Sequence, residues 1–159
     1  MNIQDLLSIA PFTWSAIGTS LLCGAIIGLE RQLRGKPVGI RTSSLIVLGT
    51  YIFIATSFIA ANDVSDRARV IGQVVTGIGF LGAGVMLAKE GIVAGVTSAA
   101  TIWTLAAIGV CISVVGEQVA IKISLVVVTI LYGVDLLEKY FSTLTLGVHS
   151  KFRNLNKKE

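Results

Sequence analysis

The sequence predicts an all-α protein, a polytopic membrane helix bundle of about five transmembrane helices. Its residues are 53% hydrophobic and only 14% charged, and its mean hydropathy is +0.83. Soluble domains carry about 25% charged residues, because a surface that faces water needs charge. The chain also holds 17 glycines and 2 prolines, a balance that is typical of membrane helices in close contact. These observations exclude an ordinary soluble domain.

Five apolar stretches are long enough to cross the ~30 Å hydrocarbon core of a bilayer, which takes about 20 helical residues. They are Phe12–Leu29, Ser43–Ala61, Val70–Ala88, Val93–Val115 and Val119–Leu137. The loops that follow the third and fourth stretches, Lys89–Ile92 and Gly116–Gln118, are short. Short loops make the last three helices antiparallel neighbours.

The distribution of lysine and arginine over the loops predicts the orientation of the bundle. With the N-terminus outside, ten of these residues fall in inner segments and only Arg67 and Arg69 fall in outer ones. Because cytoplasmic loops carry the excess of positive charge, we expect the C-terminus in the cytoplasm. The chain then divides into a transmembrane domain over 1–138 and a short basic cytoplasmic tail over 139–159. That tail is either solvated or lies along the anionic inner leaflet.

Glycines dominate the third stretch, where residues 77–82 match the pattern G-x-G-x-x-G. A dinucleotide site would need a preceding strand and a βαβ unit, which a membrane helix does not provide. Small residues instead let neighbouring helix backbones approach closely in lipid. We therefore predict helix-packing roles, with the third helix the most enclosed, for Gly24, Gly28, Gly72, Gly77, Gly79, Gly82 and Gly84.

Polar residues gather at the predicted cytoplasmic level, where the first helix ends, the second begins and the fourth begins. They are Glu30, Arg31, Arg41, Thr42, Thr97, Ser98 and Thr101. A carboxylate at the end of a glycine-rich helix is partly desolvated and needs donors. We expect Glu30 to bind Arg41 and the hydroxyls of the fourth helix. The alternative is ordinary interfacial charge together with helix-capping hydroxyls.

A second polar group opens the third helix at the predicted outer face. Asp66 and Arg69 stand three residues apart and can pair on one helix face, with Gln73 one turn deeper. Structural capping and a functional pair both remain open for these residues. In the fifth helix, the spacing of Asp135 and Lys139 predicts a structural i,i+4 pair.

The sequence gives no indication of a catalytic, metal or cofactor site. His149 is the only histidine, and the two cysteines, Cys23 and Cys111, lie in separate apolar runs without zinc-ligand spacing. Their predicted depths in the membrane differ too much for a disulfide. We expect no enzymatic activity, no cofactor and no nucleic-acid partner.

Three segments in order resemble the MgtC/SapB family of bacterial inner-membrane proteins. They are Gly28–Arg31 with Gly39–Thr42, the run DRARVIGQVVTGIGFLGAG from Asp66 to Gly84, and GVTSAATIWTLAAIG from Gly95 to Gly109. The positions that match the family pattern are Glu30, Arg31, Arg41, Thr42, Arg69, Gln73, Gly77–Gly84, Thr97, Ala100 and Trp103.

The resemblance implies a five-helix domain in the bacterial inner membrane. It also implies a link to growth in low magnesium, acid stress and survival inside host cells. Better-known members carry a soluble C-terminal domain, which we expect to be absent here. The family is thought to act by binding other membrane proteins, including the ATP synthase.

Two functions follow as expectations. The first is a non-catalytic regulator that contacts another membrane protein through its helices within the lipid bilayer. The second is a small transporter or channel for Mg²⁺ or another cation, suggested by polar residues at both ends of the bundle. A homo-oligomer through a glycine face is a further open arrangement.

Overall fold

The computed structural model describes residues 8–60, 63–89 and 92–140. These residues form five α-helices and one two-stranded antiparallel hairpin. In chain order the elements are α1 (Trp14–Leu33), α2 (Ile40–Ala60), α3 (Val64–Gly84), β1 (Leu87–Lys89), β2 (Ile92–Ala94), α4 (Val96–Val114) and α5 (Glu117–Tyr140). The predicted all-α fold with five helices is confirmed. The predicted basic tail lies outside the described residues from position 141 onward.

Side-chain caps and glycines fix where the helices begin and end. The Thr13 hydroxyl accepts a hydrogen bond from Ala16 N at 3.2 Å at the start of α1. Asp63 accepts one from Asp66 N at 2.9 Å at the start of α3. Both satisfy backbone N–H groups that have no partner inside the first helical turn. Gly116 has φ +127° between α4 and α5, a conformation that glycine adopts without strain.

The core lies where α1, α2 and α4 pack together. Its largest fully buried side chains include Ile27, Val47, Ile54, Leu105 and Ile108. Glycines let these helices approach closely, because a Cβ on Gly28 would lie 2.6 Å from Ile40 Cα. Gly24 meets the backbone of Ser44 in the same way, and Gly109 of α4 meets Thr50 and Val47 of α2.

The prediction that α3 is the most enclosed helix is wrong. Among the described residues of α3, only Gly82 is buried, and a Cβ there would lie 3.6 Å from the Ala99 carbonyl oxygen of α4. Cβ atoms added to the other predicted packing glycines of this helix would meet nothing within 4 Å: Gly72, Gly77, Gly79 and Gly84. Glycines in a helix show that another helix can pack closely against it. They do not show whether that other helix belongs to the same chain.

The short hairpin between α3 and α4 also departs from the prediction. The third helix was expected to reach Ala88 and the fourth to begin at Val93, but α3 ends at Gly84 and α4 begins at Val96. The strands pair Leu87 with Ala94 and Lys89 with Ile92. Gly95 closes the hairpin with φ +89°, and a Cβ there would overlap the Val85 carbonyl group. An apolar three-residue strand cannot be told from a helix end by hydropathy alone.

Three helices, α2, α4 and α5, are long and apolar enough to cross a membrane by length and composition. The helices α1 and α3 have similar lengths but fall short in hydropathy. Charged residues explain this difference, because α1 closes on Glu30 and Arg31 while α3 opens with Asp66, Arg67 and Arg69. That these two helices also span the bilayer, and which way the termini face, stay predictions.

Candidate functional site at the end of helix α1

Charged and polar residues meet inside the bundle at the end of α1. They are here named the arginine cluster: Glu30, Arg31, Arg34, Ser98 and Asp135. Glu30 is 8% exposed and Arg31 is 4% exposed. Burial follows from the close approach of α2 at Gly28, which leaves little space for solvent beside the end of α1. Charged groups this deeply buried are unfavourable unless they are paired. Glu30 and Arg31 therefore need partners of opposite charge or hydrogen-bonding partners close by.

Glu30 is held between two arginines of its own helix. Its Oε1 lies 2.7 Å from Nε of Arg34, four residues further along the chain, and its Oε2 lies 3.8 Å from Nη1 of Arg31. Among the described residues, neither carboxylate oxygen receives a hydrogen bond of good geometry. The Glu30 carboxylate is therefore stabilised chiefly by the charge of the two guanidinium groups.

Both arginines also reach out to other helices. Arg31 Nη2 donates a hydrogen bond to Ser98 Oγ at 3.0 Å, which joins α1 to the first turn of α4. Arg34 Nη1 donates to Asp135 Oδ2 of α5, and its guanidinium carbon lies 4.9 Å from the centre of the Tyr132 ring. The cluster thus ties three helices together at one end of the bundle. Two arginines and two carboxylates balance their charges there.

The predicted inner group is only partly assembled. Glu30, Arg31 and Ser98 lie together, whereas Arg41, Thr42 and Thr97 are exposed. The Thr101 hydroxyl is buried but donates to the Thr97 carbonyl oxygen of its own helix at 2.8 Å. Glu30 was expected to bind Arg41 and the hydroxyls of the fourth helix, and this is wrong among the described residues. Its carboxylate pairs with Arg34 and Arg31 and accepts no hydrogen bond from a hydroxyl.

Sequence reasoning missed two members of the cluster. The i,i+4 spacing of Glu30 and Arg34 is a signal that could have found the first. Asp135 was predicted to pair with Lys139, but the structure pairs it with Arg34; the Lys139 side chain lies outside the described residues. Finding this partner requires knowing that α5 packs beside α1, which hydropathy does not reveal.

The predicted outer pair is formed at the start of α3. Arg69 Nη2 donates to Asp66 Oδ1 at 2.8 Å, and the Arg69 side chain is 74% exposed. Arg69 and Gln73 line one end of a groove of about 810 Å³ between α2 and α3, here named the α2–α3 groove. Its other lining residues are Thr42, Leu45, Ile46, Gly49, Thr50, Phe53, Val70, Val74, Gly77, Ile78 and Leu81.

The acidic side chains and the two cysteines are spread over the described part of the chain. Within residues 8–60, 63–89 and 92–140, no three His, Cys, Asp or Glu side chains are grouped so that they could hold a metal ion. Cys23 and Cys111 are both free thiols.

Comparison with known proteins places the chain in a family. The model of the MgtC family matches residues 17–140. The Escherichia coli K12 protein named "Putative magnesium transporter YhiD" is 44% identical over 110 residues, covering 65% of this chain and 51% of that protein. Protein MgtC of Brucella abortus strain 2308 is 43% identical over 99 residues, covering 62% of this chain and 41% of that protein.

Protein MgtC of Salmonella typhimurium LT2 is 39% identical over 108 residues, covering 68% of this chain and 46% of that protein. The matched part of this chain thus spans about half the length of these curated relatives. No solved structure is significantly similar to the chain. Because the family model covers most of the helical region described above, the chain belongs to the MgtC family.

Proposed function

We propose that this protein is a non-catalytic regulator of another protein of the bacterial inner membrane, and that it binds its partner through α3. The observation that carries the proposal is an exposed stripe of small residues along this helix, here named the small-residue face: Ala68, Gly72, Thr76, Gly79 and Ala83. Their spacing of three and four residues aligns them on one side of the helix.

Helix association in lipid is driven by close packing rather than by hydrophobic burial. Gly72 and Gly79 leave open space where a partner backbone can approach. The Thr76 hydroxyl is already satisfied, because it donates to the Gly72 carbonyl oxygen at 2.9 Å. The small-residue face is therefore shallow, and its hydroxyl does not need a hydrogen bond from a partner. A transmembrane helix can pack against such a surface.

The resemblance described above suggests what the partner does. We infer that the protein serves adaptation to low magnesium, acid or a host environment by acting on other proteins. The ATP synthase is one candidate that the resemblance offers. A second copy of this chain is a competing occupant of the same face.

The test is capture of partners by the tagged full chain from membranes solubilised in mild detergent. Gly79→Leu fills the small-residue face, whereas Gly18→Leu adds the same side chain to an open, exposed position on α1. We expect Gly79→Leu to reduce capture about tenfold, the effect of losing ~1.4 kcal/mol of binding free energy, and Gly18→Leu to capture like the parent chain.

Two results would count against the proposal. One is equal capture by both variants, and the other is recovery of the chain alone after growth in standard, low-magnesium and acidic media. Co-expression of tagged and untagged copies identifies a homo-oligomer, which would replace a foreign partner as the occupant.

Cation transport is the second candidate, and the printed name of the Escherichia coli relative favours it. The arginine cluster argues against it, because Glu30 is already neutralised by Arg31 and Arg34 and offers a passing cation little free negative charge. Proteoliposomes loaded with Mg²⁺, H⁺ or K⁺ indicators decide between the two. Robust flux that disappears in Glu30→Gln would favour the transporter.

A further inference from the structure

The α2–α3 groove is an open surface distinct from the small-residue face. Among the described residues that line it, Arg69 is the only charged one. Gly49 and Gly77 both line the groove without side chains, and a Cβ on either would meet nothing within 4 Å. An apolar groove on a membrane helix bundle faces acyl chains rather than water, so its occupant is expected to be apolar along most of its length.

The length of the groove fits an acyl chain of one lipid leaflet. From Arg69 to Leu81 the helix rises about 18 Å, a little more than half of the ~30 Å hydrocarbon thickness. That is the depth of one lipid leaflet.

The polar residues at one end of the groove indicate which lipid headgroup would fit there. Arg69 presents guanidinium donors, and the Gln73 amide lies one turn deeper on the same side of α3. Guanidinium and amide N–H groups are suited to phosphate oxygens. Asp66, paired with Arg69 at 2.8 Å, adds a partly exposed carboxylate beside them. Donors for an anion and an acceptor for a cation therefore stand side by side, as a zwitterion requires.

We propose that the α2–α3 groove binds one phospholipid with a primary ammonium headgroup, such as phosphatidylethanolamine. An acyl chain lies along the groove, Arg69 and Gln73 donate to the phosphate, and the Asp66 carboxylate accepts from the ammonium. The site goes beyond the proposed function, since Gly77 belongs to the groove while Gly72 and Gly79 belong to the small-residue face.

Native mass spectrometry of the full chain in mild detergent tests the proposal. The probes are phosphatidylethanolamine, phosphatidylglycerol and phosphatidylcholine with identical acyl chains, each added at increasing concentration. We expect tightest binding of phosphatidylethanolamine, and about tenfold weaker binding in Arg69→Gln from the loss of a charge-assisted hydrogen bond. Asp66→Asn should remove the preference for phosphatidylethanolamine over phosphatidylglycerol, because the ammonium loses its acceptor.

Gly77→Leu should block the groove and lower binding of all three lipids at least tenfold, an estimate for a side chain placed in the path of the acyl chain. Gly72→Leu is the matched control, because it adds the same side chain to the opposite side of α3 and should leave lipid binding unchanged. Helical content and elution volume of each variant report whether it is folded.

Several outcomes would overturn the proposal. Equal binding of the three lipids would show an unspecific annular lipid, and full binding by folded Gly77→Leu would remove the groove from consideration. Cross-linking of a protein helix at position 77 would replace the lipid with a partner. Failure here leaves the proposed function standing, because partner capture depends on Gly79 and lipid binding on Gly77.

Discussion

Gly28 offers a sharp test of the packing between α1 and α2. A Cβ at this position would lie 2.6 Å from Ile40 Cα and 2.7 Å from Ile40 N. Ordinary contacts of a Cβ begin near 3.4 Å, so the two backbones must part by about 0.8 Å in Gly28→Ala, and close-packed interiors resist such shifts. Overpacking of this kind lowers the free energy of unfolding by about 1–3 kcal/mol.

Gly18→Ala is the matched control on the same helix. A Cβ at Gly18 would meet nothing within 4 Å, so this change keeps only the helix preference of alanine over glycine, about 1 kcal/mol in favour of folding. Because both variants share that preference, the difference between them isolates the clash.

Unfolding of the two variants in mixed micelles, followed by circular dichroism as the denaturing detergent fraction rises, provides the measurement. We expect Gly28→Ala to unfold at the lower detergent fraction, with a difference of about 1–3 kcal/mol between the variants. If the two unfold together, the close approach of α1 and α2 at Gly28 does not contribute to stability and the reasoning is refuted.

Three further changes follow from the polar contacts. Glu30→Gln should lower the free energy of unfolding by about 3 kcal/mol, measured in the same micelles, because it leaves the buried arginines under-compensated. Glu117→Ala should lower it by about 1–3 kcal/mol, since the carboxylate accepts from two hydroxyls of α1 at 2.9 and 3.1 Å; an unchanged unfolding midpoint would contradict this. The Ser65 hydroxyl and then the Asp66 N–H donate to Asp63 and hold the pKa of its carboxyl below the usual value for aspartate. The stability that the Asp63 cap contributes is therefore fully present above the usual pKa of aspartate, and it is lost as pH falls through the lowered pKa of the folded protein. Carboxyl NMR titration of the parent chain, compared with Asp63→Asn, measures this pKa.

Hydropathy predicted the helices well because a membrane helix is a run of consecutive apolar residues, which can be read directly from the sequence. The predicted fifth stretch began at Val119, and α5 begins at Glu117. Contacts between helices join residues that are far apart in the sequence, so hydropathy does not predict them. Asp135 meets Arg34 across 101 positions of sequence only because α1 and α5 are neighbours.

The error at Arg41 has a different origin. Arg41 follows the first residue of α2 and is exposed, so it is free to remain in water. Arg34 stands four residues after Glu30, so the helical turn itself brings the two side chains together. Glycines illustrate a third limit, because Gly28 and Gly72 look alike in sequence while one meets a backbone and the other meets open space.

The hairpin between α3 and α4 has a mechanical consequence. The paired strands and the close contact between Gly95 and Val85 join the end of α3 to the start of α4, so we expect these two helix ends to move together. The first turn of α4 holds Ser98, whose hydroxyl accepts from Arg31. We therefore expect a displacement of α3 to reach this hydrogen bond through the hairpin, and with it the charges that surround Glu30.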